Sequence, residues 1–503
     1  MSDVATQAQP RRQSLVKCVL DNGREAGLRN TKAAVFGFLF SWVVFFSVLN
    51  LVPVSEGLTP EGRAALAVMA WVTVIWVSEA LPMGISGLGI CVLLMLTGAL
   101  PKVPDAFSGF TTPVTFLILG CFILAALMQV TGLDRRIALG IVSRVKPRVG
   151  SVLGGLMGAH FVTAILVPAT NARGAVFLPI VTGIMGLLGD SPDEKRGRKA
   201  LAMVGIGMAA LAAGIIAMHS HMSNVIIAQA LNEAVGPGTM TWGKWLWMHW
   251  PLLGIFPVMW FWVTWALKCA KVEIPGGMEG IRKQKDDLGT MGWNEWVVLI
   301  CASIAVFLWA TDSWHKLGIH TVTLLVVMVI FIPGVVSFNW KRVQQNVIWG
   351  TWLLLCGSLS LVSAFSKTGL DQWMASQLVS VAPAWGWVAV TLLICIMVQI
   401  IRLGIISNVA AVTLMAPVIV AMAPLLDLNT VAFSLAVLNV DSYAFILPIS
   451  VTACLIAYGT EEFTFAEFMK IGAPFTFFVI LYMVFVMIPW WAVCGYPIWV
   501  PIN

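Results

Sequence analysis

The residues with chemical potential in this chain are the few polar ones set inside apolar runs. Thr170, Asn171 and Arg173 interrupt a stretch from 149 to 189 that holds no other charge, and Ser407 and Asn408 occupy a matching place later, with Arg402 five residues before Ser407. Hydroxyls and amides at the tip of a re-entrant hairpin suit a carboxylate, because tip N–H groups and helix N-termini point to the same spot. A buried Arg adds a bidentate fork for the same anion. The competing reading makes Ser and Asn interhelical hydrogen-bonding partners and lets each Arg snorkel to an interface. Recurrence of the polar tip in both halves favours binding, and an intramembrane ionisable residue is a functional candidate by default.

A second polar stretch, AMHSHMSNVI at 217–226, carries His219, His221, Ser223 and Asn224, and its later counterpart, SVTAC at 450–454, carries Thr452. Two histidines two residues apart with no carboxylate or cysteine beside them do not make a metal site, so a cavity-lining role or helix-breaking polar packing is expected. His219, Asn224 and Thr452 join the candidate substrate contacts. No metal site and no cofactor is expected. Glu79 and Asp441 are lone carboxylates near span ends, read as caps or edge residues with a lesser claim as proton carriers.

Charge-free runs such as 33–55, 80–101, 106–133, 200–232, 343–366 and 471–503 are the elements that must position these groups. A spanning helix needs about 20 apolar residues. About eleven spans are expected, with re-entrant elements where Gly, Pro, Ser or Asn break a run. The chain also resembles itself at an offset of about 237. FLILGCFILAALMQVTGLDRRIA (116–138) matches WLLLCGSLSLVSAFSKTGLDQWMA (352–375), placing Gly120 on Gly357 and one TGLD run on the other. PATNARGAVFLPI (168–180) resembles ISNVAAVTLMAPV (406–418). Four parts follow: a cytoplasmic segment 1–32, a first half 33–267, a charged linker 268–296 and a second half 297–503. The first TGLD run is followed by Arg135, Arg136, Arg144, Lys146 and Arg148, whereas 372–387 has no basic residue. By the positive-inside rule the two loops lie on opposite sides, which makes the repeat inverted. The N-terminus is then cytoplasmic and the C-terminus outside.

Composition agrees. Of 503 residues, 59% are hydrophobic and only 11% charged, less than half the charge of a soluble domain. That excludes a soluble enzyme, a disordered chain and a nucleic-acid binder. The 23 tryptophans read as interface anchors and the nine cysteines as small core residues. There is no Walker A run, HExxH or GxSxG and no pair of intramembrane aspartates, so neither ATP-driven transport nor membrane catalysis has a candidate constellation.

From WVSEALPM through TGLDRRIA and the paired tips to AYGTEEFTFAEFMKIGAPF, the sequence resembles the divalent anion/sodium symporter (DASS) family. The resemblance implies an all-α polytopic fold with two re-entrant hairpins, scaffold and transport domains moving in elevator fashion, and a homodimer. It implies di- or tricarboxylate substrates such as succinate or citrate, or sulfate in some members. The family carries Ser-Asn-Thr at each tip. Here the second tip reads Ser407-Asn408-Val409, and the first reads Thr170-Asn171-Ala172 or Ala169-Thr170-Asn171, depending on alignment by asparagine or by Pro179 and Pro417. Sodium-coupled members carry Thr-Pro-Pro-Asn where this chain has His221 to Asn224 and Val451 to Cys454, which puts sodium ligands in doubt. The run Asn171-Ala172-Arg173 is similar to the exchanger branch. The expected function is therefore exchange of a small organic anion for a counter-anion across the plasma (inner) membrane, with sodium- or proton-coupled symport and an anion channel as alternatives.

Overall fold

A computed structural model describes residues 31–166, 170–380, 386–405 and 407–499. The described residues are helical, with two isolated bridges and no strand. Among the described residues eight helices are long and apolar enough to cross a membrane, and six shorter apolar helices accompany them. Several charge-free runs fold as interrupted or paired helices.

Local chemistry sets the helix ends. Helix α1 spans Thr31–Leu51 and α2 spans Pro60–Ser78, where the Thr59 hydroxyl accepts the Gly62 N–H and proline takes the first position. Glu79 ends α2 in the left-handed region and is a cap, as expected. Helix α3 is Met83–Leu96 and α4 is Pro113–Thr131. The TGLD runs are punctuation: Gly132 stops α4 and Gly369 stops the later helix Trp349–Thr368 at φ of 77° and 71°, where glycine alone is unstrained. The next Asp accepts its neighbour's N–H in each case (Arg135 to Asp134, 2.7 Å; Gln372 to Asp371, 2.9 Å), and a new helix begins. After α4 come α5 (Leu133–Val142), α6 (Val149–Leu166) and α7 (Thr170–Met185).

Next, α8 (Pro192–Ala202), with a Ser191/Glu194 capping box, runs through a π turn at Met203–Met208 into α9 (Ala209–Gly214). The chain then unwinds before α10 (Met222–Val235). Helices α11 (Trp242–His249) and α12 (Ile255–Ala266) close the first half. The second half contains α13 (Trp293–Ala310), α14 (Ile319–Ile330), α15 (Trp349–Thr368), α16 (Leu370–Ser380), α17 (Trp387–Arg402), α18 (Asn408–Leu425), α19 (Thr430–Asp441), α20 (Thr452–Tyr458) and α21 (Phe465–Tyr482).

The halves interlock reciprocally: α3 of the first packs on α15 of the second, and α14 of the second packs on α4 of the first. Small residues allow this close approach. A Cβ on Gly357 would lie 2.2 Å from the Gly87 carbonyl oxygen, and one on Gly120 would meet Thr323 at 2.5 Å. The charged stretch between the halves is docked: Val149 and Ile274 N–H groups reach the Val272 and Pro147 carbonyls at 2.9 Å. Arg136 grips Glu295 at 2.7 Å and the Gly289 carbonyl at 2.8 Å.

Candidate functional site

Helices α7 and α18 carry matching prolines, Pro179 and Pro417, nine residues after Thr170 and Asn408. Aligned on these prolines, the first tip reads Ala169-Thr170-Asn171 against Ser407-Asn408-Val409. Ala169 and the Asn171 side chain lie outside the described residues. The unwound segments match as well. His221 and Val451 precede α10 and α20 with nearly the same extended backbone, φ/ψ of −147°/133° and −140°/130°. Ser220 is thereby the equivalent of Ser450.

Three helix starts and Thr170 of α7 meet at one cavity of about 170 Å³, lined by Thr170, His221, Ser407, Asn408, Val451 and Thr452, with Met83, Phe122 and Leu354 beside them. Helices α10 and α18 are 14 and 18 residues long, so their positive dipole ends face the cavity. A surface hollow of about 850 Å³ lies between Leu178 to Leu188 and Ile456 to Glu462, away from both tips. Capacity does not decide between them; the smaller cavity is the candidate site because both polar tips and both unwound segments reach it.

One imidazole joins the tips. His221 Nδ1 lies 3.2 Å from Thr170 Oγ1, and His221 Nε2 lies 3.3 Å from Asn408 Nδ2. The network assigns its tautomer. Arg402 can only donate, and its Nη2 meets Asn408 Oδ1 at 2.6 Å, so the amide N–H₂ must face His221. Nε2 is then the lone-pair nitrogen, and Nδ1–H donates to Thr170. Arg173 Nη2 donates to the same hydroxyl at 3.2 Å, which fills both its lone pairs. The Thr170 hydroxyl proton, the second Asn408 N–H and the Ser407 hydroxyl proton remain; Ser407 Oγ already accepts the Ala410 N–H at 3.3 Å. These are donors that an anion could engage.

The two arginines stand behind this lining. The expected fork onto a ligand is not their geometry: both guanidinium groups are turned to protein oxygens. Arg173 donates to the Ala210 carbonyl at 2.9 Å and the Ser220 carbonyl at 3.2 Å. Arg402 donates to the Ser450 carbonyl at 2.7 Å and to the Ile405 carbonyl. Ser220 and Ser450 are equivalent positions, so the two arginines reach matching carbonyls although Arg173 starts the second arm of one hairpin and Arg402 ends the first arm of the other. Asp441 Oδ1 lies 3.0 Å from Arg402 Nε, an ion pair whose angle falls outside hydrogen-bond geometry. Asp441 is fully buried, which corrects its reading as an edge residue.

The remaining candidates separate. Thr452 lines the cavity. His219 does not: its Nδ1 accepts Trp242 Nε1–H at 2.9 Å, its Nε2 meets the Ile165 carbonyl at 2.9 Å, and Trp309 packs against its ring. Asn224 also lies outside the lining, where its Nδ2 donates to the Gly214 and Ala217 carbonyls at 3.0 Å and holds the unwound turn together. His221 lines the cavity and Asp441 pairs with Arg402, and neither is among the candidate contacts read from sequence. Among the described residues no group of three His, Cys, Asp or Glu could hold a metal.

Comparison with known proteins places this arrangement among transporters. The family model described as the sodium:sulfate symporter transmembrane region matches residues 34–496. An "uncharacterized transporter" of Haemophilus influenzae is 26% identical over 90% of this chain and 95% of its own length. The sodium-dependent dicarboxylate transporter SdcS of Staphylococcus saprophyticus is 25% identical over 83% and 84%. Two solved structures share the fold: the YdaH transporter of Alcanivorax borkumensis (14% identity, TM-score 0.51, 83% of this chain and 99% of that one) and MtrF of Neisseria gonorrhoeae (12%, 0.54, 90% and 93%).

Proposed function

The chain belongs to the sodium:sulfate symporter (DASS) family of membrane transporters, and from that premise we propose that it exchanges di- or tricarboxylate anions across the plasma membrane. One observation carries the choice of exchange: guanidinium groups fill the matching oxygen cages behind both tips. In transporters built from inverted repeats, unwound carbonyls and helix ends coordinate the coupling cation. Here the Ser220 and Ser450 carbonyls, with Ala210, Ile405 and the Thr170 and Asn408 oxygens, are taken by Arg173 and Arg402. A tethered cation does not dissociate, so it cannot convey the energy of a sodium gradient.

In this reading Thr170, Ser407 and Asn408 donate to the carboxylate, Thr452 lines its path, and Asn171 stands in the same tip. His219 and Asn224 support the unwound segment. The cavity, at about 170 Å³, is below the usual range for drug-sized ligands and suits a small polar solute. When the anion leaves, fixed positive charge stays behind, and carrying it across the bilayer costs several kcal/mol. A second anion removes that cost on the return step, which makes exchange obligatory. Scaffold and transport domains, drawn from the halves 33–267 and 297–503, then move in elevator fashion within a homodimer, with the N-terminus cytoplasmic and the C-terminus outside. SdcS is sodium-dependent by name; this chain departs from it at the cages. The test is uptake into proteoliposomes with and without internal dicarboxylate, in sodium and in potassium. Uptake that needs internal anion and ignores sodium is expected. Sodium-driven uptake into anion-free vesicles overturns exchange.

A further inference from the structure

We propose that Asp441 sets the charge of the anion carried, by cancelling the charge of Arg402. The inference rests on the carboxylate-transport reading and deepens it. Asp441 ends α19 and Arg402 lies in the last turn of α17; they are 0% and 1% exposed, with 3.0 Å between Asp441 Oδ1 and Arg402 Nε. Arg402 holds Asn408, which lines the cavity, at 2.6 Å. A unit charge one side chain behind a buried site is poorly screened and acts strongly on a ligand there.

The hydrogen bonds show that Asp441 supplies charge and not alignment. Neither of its oxygens accepts a hydrogen bond from a described residue. It neither caps a helix nor anchors backbone, and its polar contact is the ion pair. Arg402 is aligned without it, by the Ile405 carbonyl, Asn408 Oδ1 and the Ser450 carbonyl. Removing the carboxylate charge at constant shape therefore leaves the guanidinium in place and adds one positive charge to the site. An anion with one more negative charge is then the better match. Asp441 is thus a specificity-determining residue, acting through Arg402 and out of contact with the substrate.

The experiment compares exchange of succinate, a dianion, with citrate, a trianion, in proteoliposomes at pH 8, where both are fully ionised. Asp441→Asn is expected to raise the citrate-to-succinate ratio of apparent affinities at least tenfold, and Arg402→Gln to lower it. Asp441→Glu and the double variant Arg402→Gln/Asp441→Asn, which both restore the wild-type charge balance, are expected to keep the wild-type ratio at whatever rate remains. Either single variant suffices if the other does not fold. A merely structural Asp441 predicts slower exchange of both anions at an unchanged ratio, and that result overturns the inference. A wild-type protein that carries neither anion overturns the carboxylate reading itself, and this inference with it.

Discussion

Replacing His221 tests the site geometry directly. Its two hydrogen bonds, 3.2 Å to Thr170 and 3.3 Å to Asn408, are at the long end of the range, so each contributes about 0.5–1.5 kcal/mol net. Losing both costs about 1–3 kcal/mol, and the loss falls on the alignment of the donors that face the anion. His221→Ala should therefore weaken dicarboxylate affinity about five- to 150-fold. The tautomer argument makes a sharper demand. A replacement must offer an acceptor to Asn408 and a donor to Thr170, which a glutamine amide does and a phenyl ring of similar bulk does not. His221→Gln should stay within about fivefold of wild type, while His221→Phe should match the alanine variant. Isothermal titration of purified protein with succinate measures all three. Equal affinity in all variants refutes the bridging role. A glutamine variant as weak as the phenylalanine one refutes the assigned hydrogen-bond polarity.

Two further outcomes follow from close contacts and burial. A Cβ on Gly214 would lie 2.6 Å from Arg173 Nη2 and 3.2 Å from both the Ser220 carbonyl and Thr170 Oγ1; Gly214→Ala should displace the guanidinium and lower exchange at least about tenfold, whereas Gly158→Ala, with nothing within 4 Å of its Cβ, should leave the rate unchanged. At Asp134, in the amphipathic helix α5 outside the spans, burial pushes the carboxyl up to about 6. The folded state then binds its proton more tightly than the unfolded state, so stability falls as pH rises from about 4 through 6. Asp134→Asn should raise the melting temperature at pH 7.5, corresponding to up to roughly 3 kcal/mol, with the gain vanishing near pH 4; a gain equal at both pH values refutes the burial argument.

The paired tips were legible because a polar residue in a long apolar run is costly and therefore conspicuous, and Ser407 with Asn408 stands out on that ground alone. The TGLD runs were legible because only glycine serves in the left-handed stop, so the same letters mark the same corner twice. What composition could not convey was direction. Arg173 and Arg402 were recognised as buried charge, but the fork was expected to face the ligand. It faces backbone carbonyls that unwound segments expose, and those segments lack the periodicity that would reveal them. Of the two histidines the sequence reading takes His219 as a substrate contact, whereas His221 lines the cavity. Residues 218–220 form a 3₁₀ turn and His221 is extended, so neither helical nor strand spacing predicts which ring turns to the cavity. The burial and pairing of Asp441 are not legible locally, because its partner Arg402 is 39 positions earlier on another helix.

The imidazole between the tips has a consequence for the symmetry of the fold. Two copies of one unit, related by a twofold operation, can place identical groups around a shared centre only if the object at that centre looks the same from both sides. A neutral histidine does not: one nitrogen bears a proton and the other a lone pair. His221, which belongs to one copy, touches equivalent positions 170 and 408 of both. A hydroxyl oxygen meets the proton and an amide N–H meets the lone pair, so the halves answer it with opposite polarity. The contacts at the midpoint therefore cannot be twofold symmetric, and the different residues at 170 and 408 match the two unlike nitrogens of the ring.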